Sequence, residues 1–223
     1  MGETTRSLPV GDLSAWGTTE FRPFLPYTPM QYPLELTFKF WALAPQISVK
    51  NAQGTVVLYV RQKLFKLKEA INVFSDSQRN TLIYDIKADR IIDFSACYHF
   101  SDADGKPIGA VKRQGLRSLW RAHYDILDGD AAAFTIQEEN PWIKVIDTLF
   151  AEVPVVGIFT GYFFNPTYIV SRPNGKTVMR LSKQPTFLSR VFSIQQIDQL
   201  SDREEAQVLL SLLMMLLLER NRG

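Results

Sequence analysis

Val208-Leu-Leu-Ser-Leu-Leu-Met-Met-Leu-Leu-Leu218 decides the fold of this chain, because only one of its eleven residues, Ser211, is polar. Directly before it stands Ser201-Asp-Arg-Glu204, the pattern in which a hydroxyl and a carboxylate satisfy free backbone amides at a helix start. Together they predict a helix over 201–220. A helix that is apolar on every side must be surrounded by protein or by lipid. A membrane span needs about 20 apolar residues, each rising about 1.5 Å. The run here reaches only half that, and the turn before it carries Asp202, Arg203, Glu204 and Glu205. Burying its leucines contributes on the order of 1.5–3 kcal/mol each before conformational entropy is counted. Strands of the same chain, a bilayer or a helical seam in an oligomer could supply the cover. A sheet wrapped around the helix is the economical solution.

The preceding sequence supplies such strands. Leu34-Glu-Leu-Thr-Phe-Lys-Phe-Trp-Ala-Leu43 alternates apolar and polar residues, and Gln46-Ile-Ser-Val-Lys50 follows it. Further strands are expected at 55–61, 71–74, 81–86, 91–100 and 108–112. After an interruption they resume at 155–160, 167–171, 177–181 and 189–194. Short strands separated by Gly, Asn and Asp at near-regular spacing indicate a meander, sandwich or barrel. Turns are expected at 51–54, 102–105 and 172–175. In the last, Asn174-Gly175 suggests positive φ at both turn positions. The interruption is one short helix near 141–152: Asn140 is a good cap, Pro141 suits the first position, and Trp142, Val145, Ile146, Leu149 and Phe150 recur at helical spacing. Residues 1–33 hold five prolines and no periodicity, which reads as an extended arm, disordered or draped over the domain. Trp16, Phe21, Phe24 and Tyr27 favour draping. The expected organisation is an arm over 1–33 and one mainly β domain over 34–223.

Composition narrows the function classes. Of 223 residues, 46% are hydrophobic and 22% charged, enough for a core and a water-facing surface. A net charge of +2 is too small to argue for a nucleic-acid partner. The first twenty residues lack a charged start followed by an apolar stretch, so no secretory leader is expected. Met1-Gly2 suggests myristoylation, but Arg6 stands where Ser or Thr is wanted. The single cysteine, Cys97, permits no intrachain disulfide and fits a reducing, cytoplasmic compartment. It lies in an alternating run and reads as a packed small hydrophobe rather than a catalytic thiol.

The remaining constellations are weak. Asp102, Asp104 and Gly105 imitate the start of a calcium loop, but the twelfth position holds Arg113 where a bidentate Glu is needed. His99 and His123 each stand apart in strand-like sequence, without ligands at metal spacing. Asp125, two residues from His123, would merely share its strand face. Glycine-rich phosphate cradles and nucleophile elbows are absent. No catalytic residue, metal or cofactor is therefore assigned, and an enzyme is not expected.

The order of elements resembles the tubby-like superfamily. The resemblance is carried by Tyr59-Val-Arg-Gln-Lys-Leu-Phe-Lys-Leu-Lys68, the Asp102-Ala-Asp-Gly-Lys-Pro-Ile-Gly109 hairpin, and Val111-Lys-Arg-Gln-Gly-Leu-Arg-Ser-Leu-Trp-Arg-Ala-His-Tyr124. Thr186-Phe-Leu-Ser-Arg-Val-Phe192 and the terminal helix complete it, from about residue 45 to the end. The LURP-one-related family is the nearest match; phospholipid scramblases and Tubby C-terminal domains are more distant. The resemblance implies a closed antiparallel β-barrel around a hydrophobic C-terminal helix. Tubby domains bind phosphoinositides and scramblases act at membranes, while most LURP-one-related proteins have no assigned chemistry. The resemblance therefore implies a non-enzymatic binding or regulatory module, with anionic phospholipid headgroups as one class of ligand and scramblase-like lipid handling as a lesser alternative, and assigns no lipid ligand to any residue.

Basic residues recur before apolar strands. Arg61, Lys63, Lys66 and Lys68 form one set, Lys112, Arg113, Arg117 and Arg121 a second, and Arg180, Lys183 and Arg190 a weaker third. If the corresponding hairpins lie at one barrel end, they form a patch for anionic headgroups. The competing reading is a solvated face whose lysine stems cover apolar surface, and it is the favoured one. A protein-interaction module, binding through the arm or a barrel face, is the other class of function.

Overall fold

A computed structural model of the chain describes residues 30–39, 46–61, 70–90, 96–114, 122–139, 166–186 and 190–220. Residues 1–29 of the expected arm over 1–33, the helix near 141–152 and the strand at 155–160 lie outside them. The described residues contain twelve strands: β1 (Leu34–Lys39), β2 (Gln46–Lys50), β3 (Val56–Arg61), β4 (Ile71–Phe74), β5 (Leu82–Ala88), β6 (Cys97–Asp102), β7 (Pro107–Arg113), β8 (His123–Asp128), β9 (Ala131–Glu138), β10 (Thr167–Ser171), β11 (Thr177–Gln184) and β12 (Arg190–Gln196). They also contain one helix, α1 (Asp202–Arg220).

Each strand pairs antiparallel with the next, and β12 returns to pair with β1, closing an up-and-down barrel. The closing register sets Leu34 opposite Ile194 and Phe38 opposite Arg190. Residues that alternate along each strand therefore alternate between lumen and outer surface. In β1, Leu34, Leu36 and Phe38 are buried while Glu35 and Lys39 are exposed. Closure also removes the sheet edges that would otherwise invite a second chain.

The lumen is filled by α1. Every residue from Gln207 to Leu217 is buried, and the leucines and methionines form one core with the inner faces of the strands. The polar exceptions are satisfied internally. Gln207 Nε2 donates to the Ile108 carbonyl at 2.7 Å, and Ser211 Oγ donates to the Gln207 carbonyl at 2.7 Å. Gln207 comes close enough to β7 that a Cβ at Gly109 would lie 2.7 Å from the Leu127 carbonyl and 3.0 Å from Gln207 Nε2. Only glycine permits that approach.

The start of α1 has the expected cap: Ser201 N donates to Glu204 Oε2 at 2.9 Å, and Glu204 N to Ser201 Oγ at 3.4 Å. Further polar contacts fix the first turn to the barrel rim. Arg203 reaches Asp128 at 2.9 Å, Tyr32 donates to Glu205 at 2.8 Å, and Arg172 pairs with Glu204. Burial raises the Glu205 carboxyl above its ordinary pKa, against the lowering effect of the Tyr32 hydrogen bond.

Two details differ from the sequence reading. It assigns no strands to the stretches of β8 and β9, which the structure pairs along their length. Strand β9 begins Ala131-Ala-Ala, and its buried alternation rests on Phe134, Ile136 and Glu138 alone. Of the strand expected at 91–100, residues 97–100 fall in β6, and 91–95 lie outside the described residues. At residues 172–175 only Gly175 has positive φ, at 84°. Pro173 presets the first central position of an ordinary turn closed by Gly175 N on the Arg172 carbonyl, and the ladder shifts register beside it at Val170/Ser171.

Candidate functional site

Strict alternation of strand direction divides the connections between two ends. The turns after β2, β4, β6, β8 and β10 lie at the end where α1 enters, the entry end. The strand ends joined by the connections after β1, β3, β5, β7, β9 and β11 lie at the opposite, exit end, where α1 finishes at Glu219 and Arg220. The connections after β3, β7 and β11, each associated with one basic set, leave from and return to the exit end.

Eight cations were singled out in the first two sets, and three are described. Arg61 and Lys112 stand exposed at the ends of β3 and β7. Arg113 does not belong to an outer patch. It is 7% exposed, turned into the lumen, with Nη2 3.3 Å from Glu219 Oε1 and its guanidinium 5.7 Å from the Tyr124 ring centre. Neighbours on a strand face opposite ways, so Lys112 and Arg113 could not both face outward. Lys63, Lys66, Lys68, Arg117 and Arg121 lie outside the described residues.

Arg113 belongs to a polar group that closes the exit end of the core. Tyr124 donates to Glu219 Oε1 at 2.6 Å. Burial holds the Tyr124 phenol well above its ordinary pKa; the Glu219 charge and hydrogen bond act in the same direction, and Arg113 opposes them. Tyr168 is likewise raised, first by burial and then by Glu138 and Glu219. Glu219 thus meets a cation and a hydroxyl donor at the end of the apolar helix.

Beside this group opens a cleft of about 200 Å³, lined by Phe38, Tyr168, Phe192 and Leu216, with Lys183, Arg190 and Glu219 among its walls. Register explains the two cations. Lys183 lies opposite Phe192 and Arg190 opposite Phe38. Directly opposed residues share a face, and both phenylalanines are buried in the lumen. In sequence, Lys183 and Arg190 belong to the weakest of the three basic sets. Their inward direction becomes legible only once strand pairing is known. Arg180, from the same set, has the other phase and forms an ion pair with Glu139.

Other candidates have structural surroundings. Asp102 Oδ1 accepts from Asp104 N at 3.1 Å and Lys106 N at 2.8 Å, so its side chain shapes the turn. Cys97 is buried, and burial raises its thiol pKa. His99 is on the outer face. No group of three or more His, Cys, Asp or Glu suited to a metal occurs among the described residues. No helix among them is long and apolar enough to cross a membrane.

Comparison with known proteins settles the family. Residues 56–206, more than half of the chain, match the family model described as LURP-one-related. The chain belongs to the LURP-one-related family. That match spans β3 to the first turn of α1; β1, β2 and the buried apolar run of the helix lie outside the match and belong to the same closed barrel and core. A solved structure of a protein from Arabidopsis thaliana is similar at 11% identity, with a TM-score of 0.45, over 85% of this chain and 92% of its own. No curated protein matches the sequence.

Proposed function

We propose that this LURP-one-related domain is a non-enzymatic module that associates peripherally with membranes through anionic phospholipid headgroups. The supporting observation is the barrel's parity: the connections after β3 and β7 share the exit end, and they carry Lys63, Lys66, Lys68, Arg117 and Arg121 between the exposed Arg61 and the start of β8. Each cation near an acidic surface contributes ~1 kcal/mol, and the attraction fades beyond a Debye length. Several weak contacts converging on one end therefore give reversible, salt-sensitive binding. Arg113 is left out of this patch because its charge is engaged by Glu219.

Flotation with vesicles rich in phosphatidylserine tests the reading. The protein is expected to float at low salt and to be released as salt rises. Combined Lys63→Glu, Lys66→Glu and Arg117→Glu substitution should abolish flotation without changing the melting temperature. Equal recovery on neutral and acidic vesicles would sink the proposal.

A further inference from the structure

Three charged residues in the first turn of α1 reach the barrel rim, and they are not treated alike. Glu204 has the Arg172 guanidinium, and Arg203 has Asp128. Glu205, among the described residues, has only the Tyr32 hydroxyl, which donates to its Oε1 at 2.8 Å. Tyr32 stands just before β1, in a short segment at the entry end. Met30 and Tyr32 pack against the core there, and the Gln31 carbonyl accepts the Ala52 amide of the β2–β3 turn at 2.9 Å. Glu205 is a half-buried carboxylate held by a phenol. Its other titratable neighbours are acids and a second phenol. Asp202 lies in its own turn. On β5, burial and then the charges of Glu205, Asp102 and Asp202 push the Tyr84 phenol up to about 12. A carboxylate withdrawn from water without a cation is costly when ionised and much less so when protonated.

We propose that Tyr32 and Glu205 form a pH-sensitive strap at the entry end: protonation of Glu205 closes the segment before β1 onto α1, and ionisation favours its release. In the closed state burial raises the Glu205 carboxyl above its ordinary pKa, Asp202 adds to the rise, and the Tyr32 hydrogen bond opposes both. In the released state the carboxylate regains water, and its proton affinity returns toward the ordinary value. The closed state thus binds the proton more tightly. Its advantage is complete below the ordinary carboxyl range and is lost as pH rises through the raised value. Glu204 has the opposite sign, because its lowered carboxyl stabilises only when ionised. One turn of helix carries a contact that acid weakens beside one that acid strengthens. The strap belongs to the entry end, so it stands apart from the lipid reading, which rests on the exit end.

Two measurements on the full chain test the strap: the carboxyl-carbon titration of Glu205, and native-state exchange of the Ala52 amide, corrected for its intrinsic rate. Ala52 is the reporter because its amide is protected only while Gln31 stays in place. Glu205 is expected to titrate above 4.5. Each unit of that excess should appear as about a tenfold gain in Ala52 protection between neutral pH and about pH 4. Glu205→Gln keeps an acceptor for Tyr32 without a titrating group, and should leave Ala52 protection independent of pH. Asp202→Asn, at an exposed position, should move the Glu205 titration down. Tyr32→Ala removes the strap and should return that titration toward the ordinary range. If this variant melts early, the unaltered protein and Asp202→Asn carry the test. Titration of Glu205 at or below 4.5, Ala52 protection that stays constant while Glu205 titrates, or a pH dependence that survives Glu205→Gln would each overturn the proposal.

Discussion

The two ends of the barrel use the same strands for different ends of one helix. At the entry end the connections are short, from 129–130 to 75–81, and all of them are described. Their polar side chains serve local structure. Asn51 and Asp102 accept backbone amides within their own turns, while Arg172, Asp128 and Tyr32 hold the first turn of α1 through Glu204, Arg203 and Glu205. At the exit end the connections run from 185–189 up to 139–166. There Arg113, Tyr124 and Glu219 seal part of the core, and an apolar cleft with two cations lies beside them. One end fixes the start of the helix through its cap and rim contacts, and the other closes on its last turn through Arg113, Tyr124 and Glu219.

The helix couples the ends, so substitution in its middle should have the largest effect. Leu213→Ala removes a side chain that is buried on all sides and should cost about 2–5 kcal/mol in a urea titration. Loss of native signals from both ends in one transition is expected. Separate melting of the ends would break the comparison at its root.

Much of this was legible in the sequence, for a physical reason. An apolar run too short for a bilayer but polar on no face demands a wrapped cover, and the strands before it have the alternation to provide one. The strands over 46–50, 71–74 and 167–171 begin and end as the pattern predicts. Alternation weakens where alanine replaces branched or aromatic side chains, and there β9 was lost. The site was less legible because facing is a property of pairing. Arg113 reads as one of a basic cluster until its neighbours on the strand show that it points inward. Lys183 and Arg190 acquire meaning only opposite Phe192 and Phe38.

A smaller effect sharpens the contrast between the ends. Gly109→Ala, at the entry end, forces a methyl against the Leu127 carbonyl and Gln207, and should destabilise by about 1–3 kcal/mol. Lys112→Gln at the exit end, on the exposed face of β7, should stay within about 0.5 kcal/mol, as surface substitutions away from packed or paired groups do. Comparable losses at both positions would mean that the exit end is structural too.

The smallest expected effect is a pH dependence at the entry end. The Arg172 guanidinium, helped by Ser201, lowers the Glu204 carboxyl to about 2 against its buried surroundings. The unfolded chain binds this proton more readily, near pH ~4.3, so the contribution is present above that value and lost as pH falls toward about 2. Solvent screening keeps it below about 1 kcal/mol. Over that acid range Glu204→Gln should lose less melting temperature than the unaltered protein. Parallel curves would show that the ion pair does not help fix the helix.

Native-state hydrogen exchange of the backbone amides at 208–217 tests the sheathed helix most directly. If the chain's own strands enclose α1, these amides exchange only through global unfolding, with protection equal to the unfolding free energy from urea and unchanged by dilution or added vesicles. Fast exchange in the monomer, or protection that appears only at high protein concentration or with lipid, would show that something other than the barrel covers these leucines.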